Sequence, residues 1–110
     1  MPKYLTVVSY TAEGAKGLLK EGGSARRAVV ETMMKNLGGK LESFYFAFGE
    51  HDVYVISEVP DNITAAAVSL AVSASGAVNS RTIVLLTPEE IDGASKKVVK
   101  FRPPGQGKKL

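Results

Sequence analysis

Lys40-Leu-Glu-Ser-Phe-Tyr-Phe-Ala-Phe48, then Gly49-Glu-His-Asp52, then Val53-Tyr-Val-Ile-Ser-Glu-Val59 is the stretch on which the fold turns. Its first part alternates Leu41, Ser43, Tyr45 and Ala47 with Glu42, Phe44, Phe46 and Phe48. A period of two predicts a β-strand, and the aromatic content equips it to pack on both faces. Gly49 to Asp52 is a tight polar interruption of the kind that joins antiparallel strands, and Val53 to Val59 is the returning strand. A hairpin therefore lies at the centre of the chain.

Working back from the hairpin, Gly38-Gly39 closes a helix that Ser24 opens as N-cap. Ala25, Ala28, Val29, Thr32, Met33 and Leu37 form its apolar stripe, opposite Arg26, Arg27, Glu31 and Lys35. Ahead of it, Thr11-Ala-Glu-Gly14 predicts a turn, Lys16 to Glu21 a short helical turn, and Gly22-Gly23 a stop. Tyr4 to Tyr10 predicts the first strand, with Leu5 and Val7 on one face and Tyr4, Thr6, Val8 and Tyr10 on the other. Working forward, Pro60-Asp61-Asn62 is a strand-to-helix corner, Ile63 to Ser75 a helix ended by Gly76, and Val78 to Leu86 the last strand. Thr87-Pro88-Glu89-Glu90 is a capped start for one or two further helical turns, to Ala94.

The order β-α-β-β-α-β predicts an α+β fold of the ferredoxin-like kind, an antiparallel sheet with both helices on one face. Two helices cover one face only, yet the first two strands carry Tyr, Val and Phe on both. The uncovered face would be larger than a monomer tolerates, so the expectation is a homodimer, or a higher homo-oligomer, paired sheet to sheet as a dimeric α/β barrel.

At 110 residues the chain suits one domain, read as residues 1–95, followed by a basic tail with Pro and Gly over residues 96–110. There is no cysteine, which excludes disulfides, a thiol nucleophile and thiolate metal sites. Apolar residues make up 45% and charged residues 23%, as in a globular chain and unlike a disordered one. The net charge of +3 is misleading about partners. The tail holds 6 of the 14 basic residues and none of the 11 acidic ones, so the first 95 residues carry a net charge of −3. A Pro- and Gly-containing tail without an aromatic residue after Phe101 reads as a solubilising terminus, expected to be mobile past that residue, and no nucleic-acid partner is expected. The longest uncharged stretch, Asn62 to Ser80, is diluted with Ser, Ala, Asn and Gly and falls short of the ~20 residues that span a bilayer, so no membrane partner is expected either. The N-terminus opens directly on a strand without a signal-peptide layout, so a cytoplasmic location is expected.

Gly38-Gly39-Lys-Leu-Glu-Ser-Phe-Tyr-Phe-Ala-Phe-Gly49, Glu50-His51-Asp52-Val53, Val59-Pro60-Asp61-Asn62 and Arg81-Thr82-Ile83 together resemble the GYD family of small bacterial and archaeal proteins. The Gly-x-aromatic-Asp corner is the most specific part of the likeness, and His51 departs from it by standing where the family pattern has Tyr. The resemblance implies a dimeric α/β barrel of the ferredoxin-like kind and a bacterial origin. It implies no activity.

His51, the one histidine, is flanked by Glu50 and Asp52. An imidazole beside carboxylates is the chemistry of a general base or a metal ligand, but adjacent residues of an extended hairpin point to alternating sides. A surface turn in which Asp52 caps backbone amides is the competing reading. No metal site is expected. Either Tyr45 or Arg81, the latter in the last strand, could supply the polar anchor for a small apolar or aromatic acid in a cleft between sheet and helices, although an aromatic stripe is also what a core or interface needs. Arg81 equally suits an edge charge that discourages further strand pairing. Gly22-Gly23-Ser24 is a helix cap without a phosphate-loop pattern, and no cofactor is expected.

These residues support a homo-oligomeric small-molecule-binding or accessory module, with His51 as the catalytic candidate and Tyr45, Glu50, Asp52 and Arg81 as the ligand-binding candidates. The alternative is a cofactor-independent monooxygenase or isomerase of the dimeric α/β barrel type, acting on a small aromatic or quinol-like substrate.

Overall fold

A computed structural model describes residues 1–106. The elements are β1 (Lys3–Tyr10), α1 (Ala12–Glu21), α2 (Gly23–Asn36), β2 (Lys40–Phe46), β3 (Val53–Glu58), α3 (Asn62–Ala74), β4 (Val78–Leu85) and α4 (Pro88–Ser95). The strands form one antiparallel sheet in the order β2-β3-β1-β4, the ferredoxin-like α+β arrangement, with β2 and β4 at the edges. Gly107, Lys108 and Lys109 of the expected basic tail lie outside the described residues.

The register decides which side chains share a face. Val7 opposes Tyr54 on one side and Arg81 on the other, and Tyr54 opposes Tyr45. Tyr45, Tyr54, Val7 and Arg81 thus make one row across all four strands. Ser43, Ile56, Leu5 and Ile83 make the next. The opposite face carries Tyr4, Thr6, Val8 and Tyr10 of β1 with Val53, Val55 and Ser57 of β3, and it meets the helices. There Tyr4, Met34 and Val59 form a buried cluster, against which Val30, Met33, Leu41, Ala65 and Val68 pack. The Tyr4 hydroxyl donates to Asn62 Oδ1 at the start of α3, so the buried phenol keeps a partner.

Expectations change in β2, α1 and α2; in α2, Ser24 lies inside a helix whose N-cap is Gly22 without a side-chain bond, and Val30, Met33 and Met34 face the core, while Ala25, Ala28, Val29, Thr32 and Leu37 of the expected stripe are exposed. The alternation expected through β2 is broken by a register shift between Leu41 and Ser43, a β-bulge. One extra residue moves Leu41 to the helix side, into the cluster around Met34, so that it joins Phe44 and Phe46 rather than Ser43 and Tyr45. Ala47 and Phe48 fall beyond the strand.

In α1, a helix of 10 residues stands where a turn and a short helical turn were expected. Thr11 caps it by accepting from the Gly14 amide at 3.2 Å, while its own amide and hydroxyl donate to Ala77 O and Gly76 O. The glycines that suggest a turn here serve contact instead. A Cβ on Gly14 would stand 2.0 Å from Ala77 O, so only glycine lets α1 dock on the chain entering β4. Gly22, at φ 88°, makes the corner between α1 and α2.

The last helix, α4, is closed at its start by a full capping box: the Thr87 hydroxyl accepts from Glu90 N, and Glu90 Oε1 accepts from Thr87 N. Every residue of α4 is exposed. No helix among the described residues is long and apolar enough to cross a membrane.

Candidate functional site

The helices lie over the sheet without filling the space beneath them. α1 turns Gly14 and Gly17 inward, α3 offers Ala71 and Ser75, and Ala77 follows at the entry to β4. Small side chains at these positions leave a cleft of about 470 Å³ between the helix layer and the sheet, within the size range of small-molecule sites. Val8, Val53 and Val55 form its floor, and Val30, Met33 and Phe44 its apolar wall. Polar residues line it as well, among them Tyr10, Glu13, Glu21 and Arg26. Arg26 Nη1 lies 3.6 Å from Glu21 Oε2 in a half-exposed pair. Burial raises the Tyr10 pKa above its ordinary value; the Arg26 charge opposes this, and the Asp52 and Glu21 carboxylates add to it. Tyr10 is therefore a neutral phenol at physiological pH, able to donate and to accept a hydrogen bond.

The residues singled out from the sequence lie elsewhere. Asp52 is bonded through both side chain and backbone: its Oδ2 accepts from the Tyr10 amide at 2.7 Å, its amide donates to Val8 O at 2.8 Å, and its carbonyl accepts from Ala47 N at 2.8 Å. Asp52 thus joins the hairpin corner to the end of β1, the amide-capping role of a turn aspartate. His51 Nδ1 is 3.1 Å from Ser9 Oγ, and its ring meets the Tyr54 ring edge-on at 6.3 Å, so it sits against the open face of the sheet. Its side chain is 26% exposed, and Nε2 reaches only as near as 3.9 Å to Glu50 Oε1, whose own side chain is 88% exposed. Among the described residues no group of three or more His, Cys, Asp and Glu is placed to hold a metal ion.

Tyr45 and Arg81 share the open face with His51 but occupy the two ends of one four-strand row. Three strand spacings put them roughly 14 Å apart, too far to grip one small polar head. Neither lines the cleft. The structure therefore gathers His51 and Tyr54 at one end of the open face, leaves Tyr45 and Arg81 at its two edges, and turns Asp52 to the backbone.

Arg26 and Glu21 are the polar cleft residues that the sequence pattern hides. Helical spacing puts Arg26 on the wet face of its helix, and the Gly22-Gly23 corner turns it to the cleft instead. The signal lies in glycine: a Cβ on Gly23 would stand 2.9 Å from the Phe46 ring, and one on Gly17 would meet nothing within 4 Å. The first marks a close approach of α2 to the sheet, and the second a gap in α1.

No curated protein and no solved structure matches the chain. A family model does: the GYD domain matches residues 4–94, from the first strand to the last helix and including the hairpin corner with its helix-side cleft. The chain belongs to the GYD domain family.

Proposed function

We propose that the protein is a homo-oligomeric small-molecule-binding module whose ligand occupies the cleft between the helices and the sheet. The observation that carries this reading is the cleft itself. It is large enough for a small ligand, apolar on its floor, and fitted with a neutral phenol and a few charged groups. A well-packed core closes such space with larger side chains, and here the helices present glycine, alanine and serine to it. The partner is a second copy of the chain, because Tyr45, Tyr54 and Ile83, with the half-buried Leu5 and Ile56 between them, give the open face an apolar surface that a monomer would leave to water.

A thermal-shift screen against aromatic acids, quinols and amphipathic small molecules tests the binding role. A ligand at 100 times its Kd stabilises by about 2.7 kcal/mol, and the shift should vanish in Ala71→Leu, which fills the cleft from α3. A flat screen, or a hit indifferent to Ala71→Leu, overturns the cleft reading. Sedimentation at micromolar concentration tests the partner, and a single species of 11.7 kDa overturns it.

The second reading, a cofactor-independent monooxygenase or isomerase, draws on the group formed by Ser9, His51 and Tyr54 at the end of the open face. A second copy laid on that face would enclose the imidazole. Its signature is a ligand shift lost in His51→Ala while Ala71→Leu leaves it intact.

A further inference from the structure

The cleft and the open face leave one region without a role, the extension beyond β4. Every residue from Pro88 to Gln106 is exposed, among them Ile91 at 51%, Val98 at 92%, Val99 at 77% and Phe101 at 73%. Among the described residues, the hydrogen bonds of this stretch run within it or to Thr87. The radius of gyration is 18.4 Å, against about 13 Å for a compact chain of this length. The longest dimension is 67 Å, against 29 and 23 Å for the other two. The extension therefore stands away from the domain, although α4, with 8 residues, is too short to be a stable helix in water unaided. A terminus kept only for solubility has no need of these exposed apolar side chains.

The charges of the extension are divided along its length. Residues 1–87 carry eight basic and eight acidic side chains and are neutral. α4 then carries Glu89, Glu90 and Asp92 with no base, and Lys96, Lys97, Lys100 and Arg102 follow with no acid. None of these charges makes an ion pair among the described residues. A stretch that is acidic in its first half and basic in its second is complementary to itself when turned end to end. From this we infer that residues 88–102 bind the same stretch of a second copy, antiparallel across a two-fold axis. The acidic turns of each α4 lie beside the basic residues of the other copy, and Ile91 lies beside Val98 and Val99. Every contact then occurs twice, as an isologous interface requires. An anionic lipid surface or a nucleic acid would attract the second half and repel the first, whereas a second copy satisfies both. The inference rests on the homo-oligomer proposed above and gives it a contact separate from the open face.

Sedimentation of the full chain over a dilution series tests this with two charge variants, each checked by circular dichroism for an unchanged fold. Glu89→Lys with Asp92→Lys makes the stretch basic while sparing Glu90 of the capping box. Lys96→Glu, Lys97→Glu, Lys100→Glu and Arg102→Glu together make it acidic. Each variant should associate with itself about tenfold more weakly than the parent protein, and the two mixed should associate at least about tenfold more tightly than either alone. These differences should fade at ~1 M salt, where the screening length falls to about 3 Å, whereas the loss caused by Ile91→Ser should persist there. A mixture no tighter than either variant alone overturns the inference. Parent-like self-association of both variants, with Ile83→Ala still weakening it, also overturns the inference and leaves the open face as the whole interface. Pelleting of the parent protein with phosphatidylglycerol vesicles, with self-association unchanged in both variants, assigns the stretch to a lipid surface instead. A single species of 11.7 kDa at every concentration removes the inference together with the homo-oligomer on which it rests.

Discussion

The two faces of the sheet bury apolar surface in different ways. On the helix side, Tyr4, Met34 and Val59 are almost fully buried, with exposures of 3%, 5% and 2%. On the open side, Tyr45 is 71% exposed and Ile83 48%, although each adjoins apolar side chains in its row, Tyr54 and Val7 for the first and Leu5 and Ile56 for the second. One chain therefore supplies enough helix to bury Tyr4, Met34 and Val59, leaves a cleft beside them that Met34 also lines, and among the described residues lays no helix over the open face, where Val7 in the middle of the sheet is nevertheless buried. The cleft and the open face have different causes. The first follows from small side chains in α1 and α3, which a ligand can complement, and the second from a missing layer, which a second copy can supply.

Truncating one side chain on each face puts that contrast to its hardest test. Met34→Ala should cost about 2 to 5 kcal/mol, since it empties the middle of the buried cluster. Ile83→Ala should cost the protomer under about 1 kcal/mol, because half of the side chain already meets solvent. Its effect should fall on the sedimentation profile instead, by weakening association. Urea denaturation at low protein concentration, where mass action does not favour an assembly, separates the two contributions. Equal costs from the two truncations would mean that the open face is already part of a closed core.

Gly14→Ala asks whether α1 forms the outer wall of the cleft. The added methyl collides with Ala77 O, a backbone atom that cannot turn aside. The gain in helix propensity, up to about 1 kcal/mol, is outweighed by the displacement of α1, for a net loss of about 1 to 3 kcal/mol. Amide exchange should accelerate in α1 and at Thr11, whose amide donates to the same carbonyl, while β1 and β3 stay protected. Ligand binding in the cleft should be lost. An unchanged exchange pattern would place the cleft outside the reach of α1.

The sequence carried the strand and helix order because period and capping are local properties: the hairpin strands, the Pro60-Asp61-Asn62 corner and the Thr87-Pro88 start can each be read within a few residues, whereas Ser24, expected as an N-cap, lies inside α2, whose N-cap is Gly22 without a side-chain bond. It concealed the rest where long-range contact overrides local preference. The bulge after Leu41 follows from pairing with β3, and alternation in β2 alone cannot show it. The α1 helix rests on Thr11 and Gly14 meeting Gly76 and Ala77, 65 and 66 positions away for the Thr11 hydroxyl bonds. The cleft was expected in general terms, between sheet and helices, but its polar residues were not. His51 in the hairpin corner and Tyr45 and Arg81 in the strands stand out in the sequence and lie on the open face, whereas Arg26 and Glu21 are ordinary helix-surface residues until the Gly22 corner turns them together.

Asp52→Ala should have a smaller effect, because the residue holds one end of one strand. It removes the 2.7 Å hydrogen bond that Asp52 Oδ2 accepts from the Tyr10 amide, at the boundary between the hairpin corner and the cleft. A cost of about 1 kcal/mol is expected for a part-buried amide left without its acceptor, with the hairpin corner frayed and the Met34 cluster intact. Comparing the amide signals of Tyr10 and Tyr4 in nitrogen-15 spectra reads the local change directly. A shift that spreads through Tyr4 would mean that the corner and the buried cluster act as one unit.

The smallest effect concerns pH, and it distinguishes the helix layer from the sheet beneath it. Asp61 caps α3: its Oδ1 accepts from Thr64 N and from Thr64 Oγ1, both at 2.8 Å. The bond from the Thr64 backbone, followed by that from its hydroxyl, holds the Asp61 pKa below its ordinary 3.8 in the folded chain. A carboxylate with a depressed folded-state pKa contributes stability that is fully present above the unfolded value and is lost as pH falls through the folded one. The urea midpoint should therefore decline from about pH 4 downward, in part through Asp61, and the gap between the parent protein and Asp61→Ala should be widest near neutrality and narrow with acid. Because Asp61 is exposed, the gap is small and is best read from matched titrations of the two proteins. Amide exchange in acid should then rise first in α3, which covers the buried cluster through Ala65 and Val68, and only later in β1. A gap that stays constant from neutrality into acid would show that the cap works through geometry alone, without help from its charge.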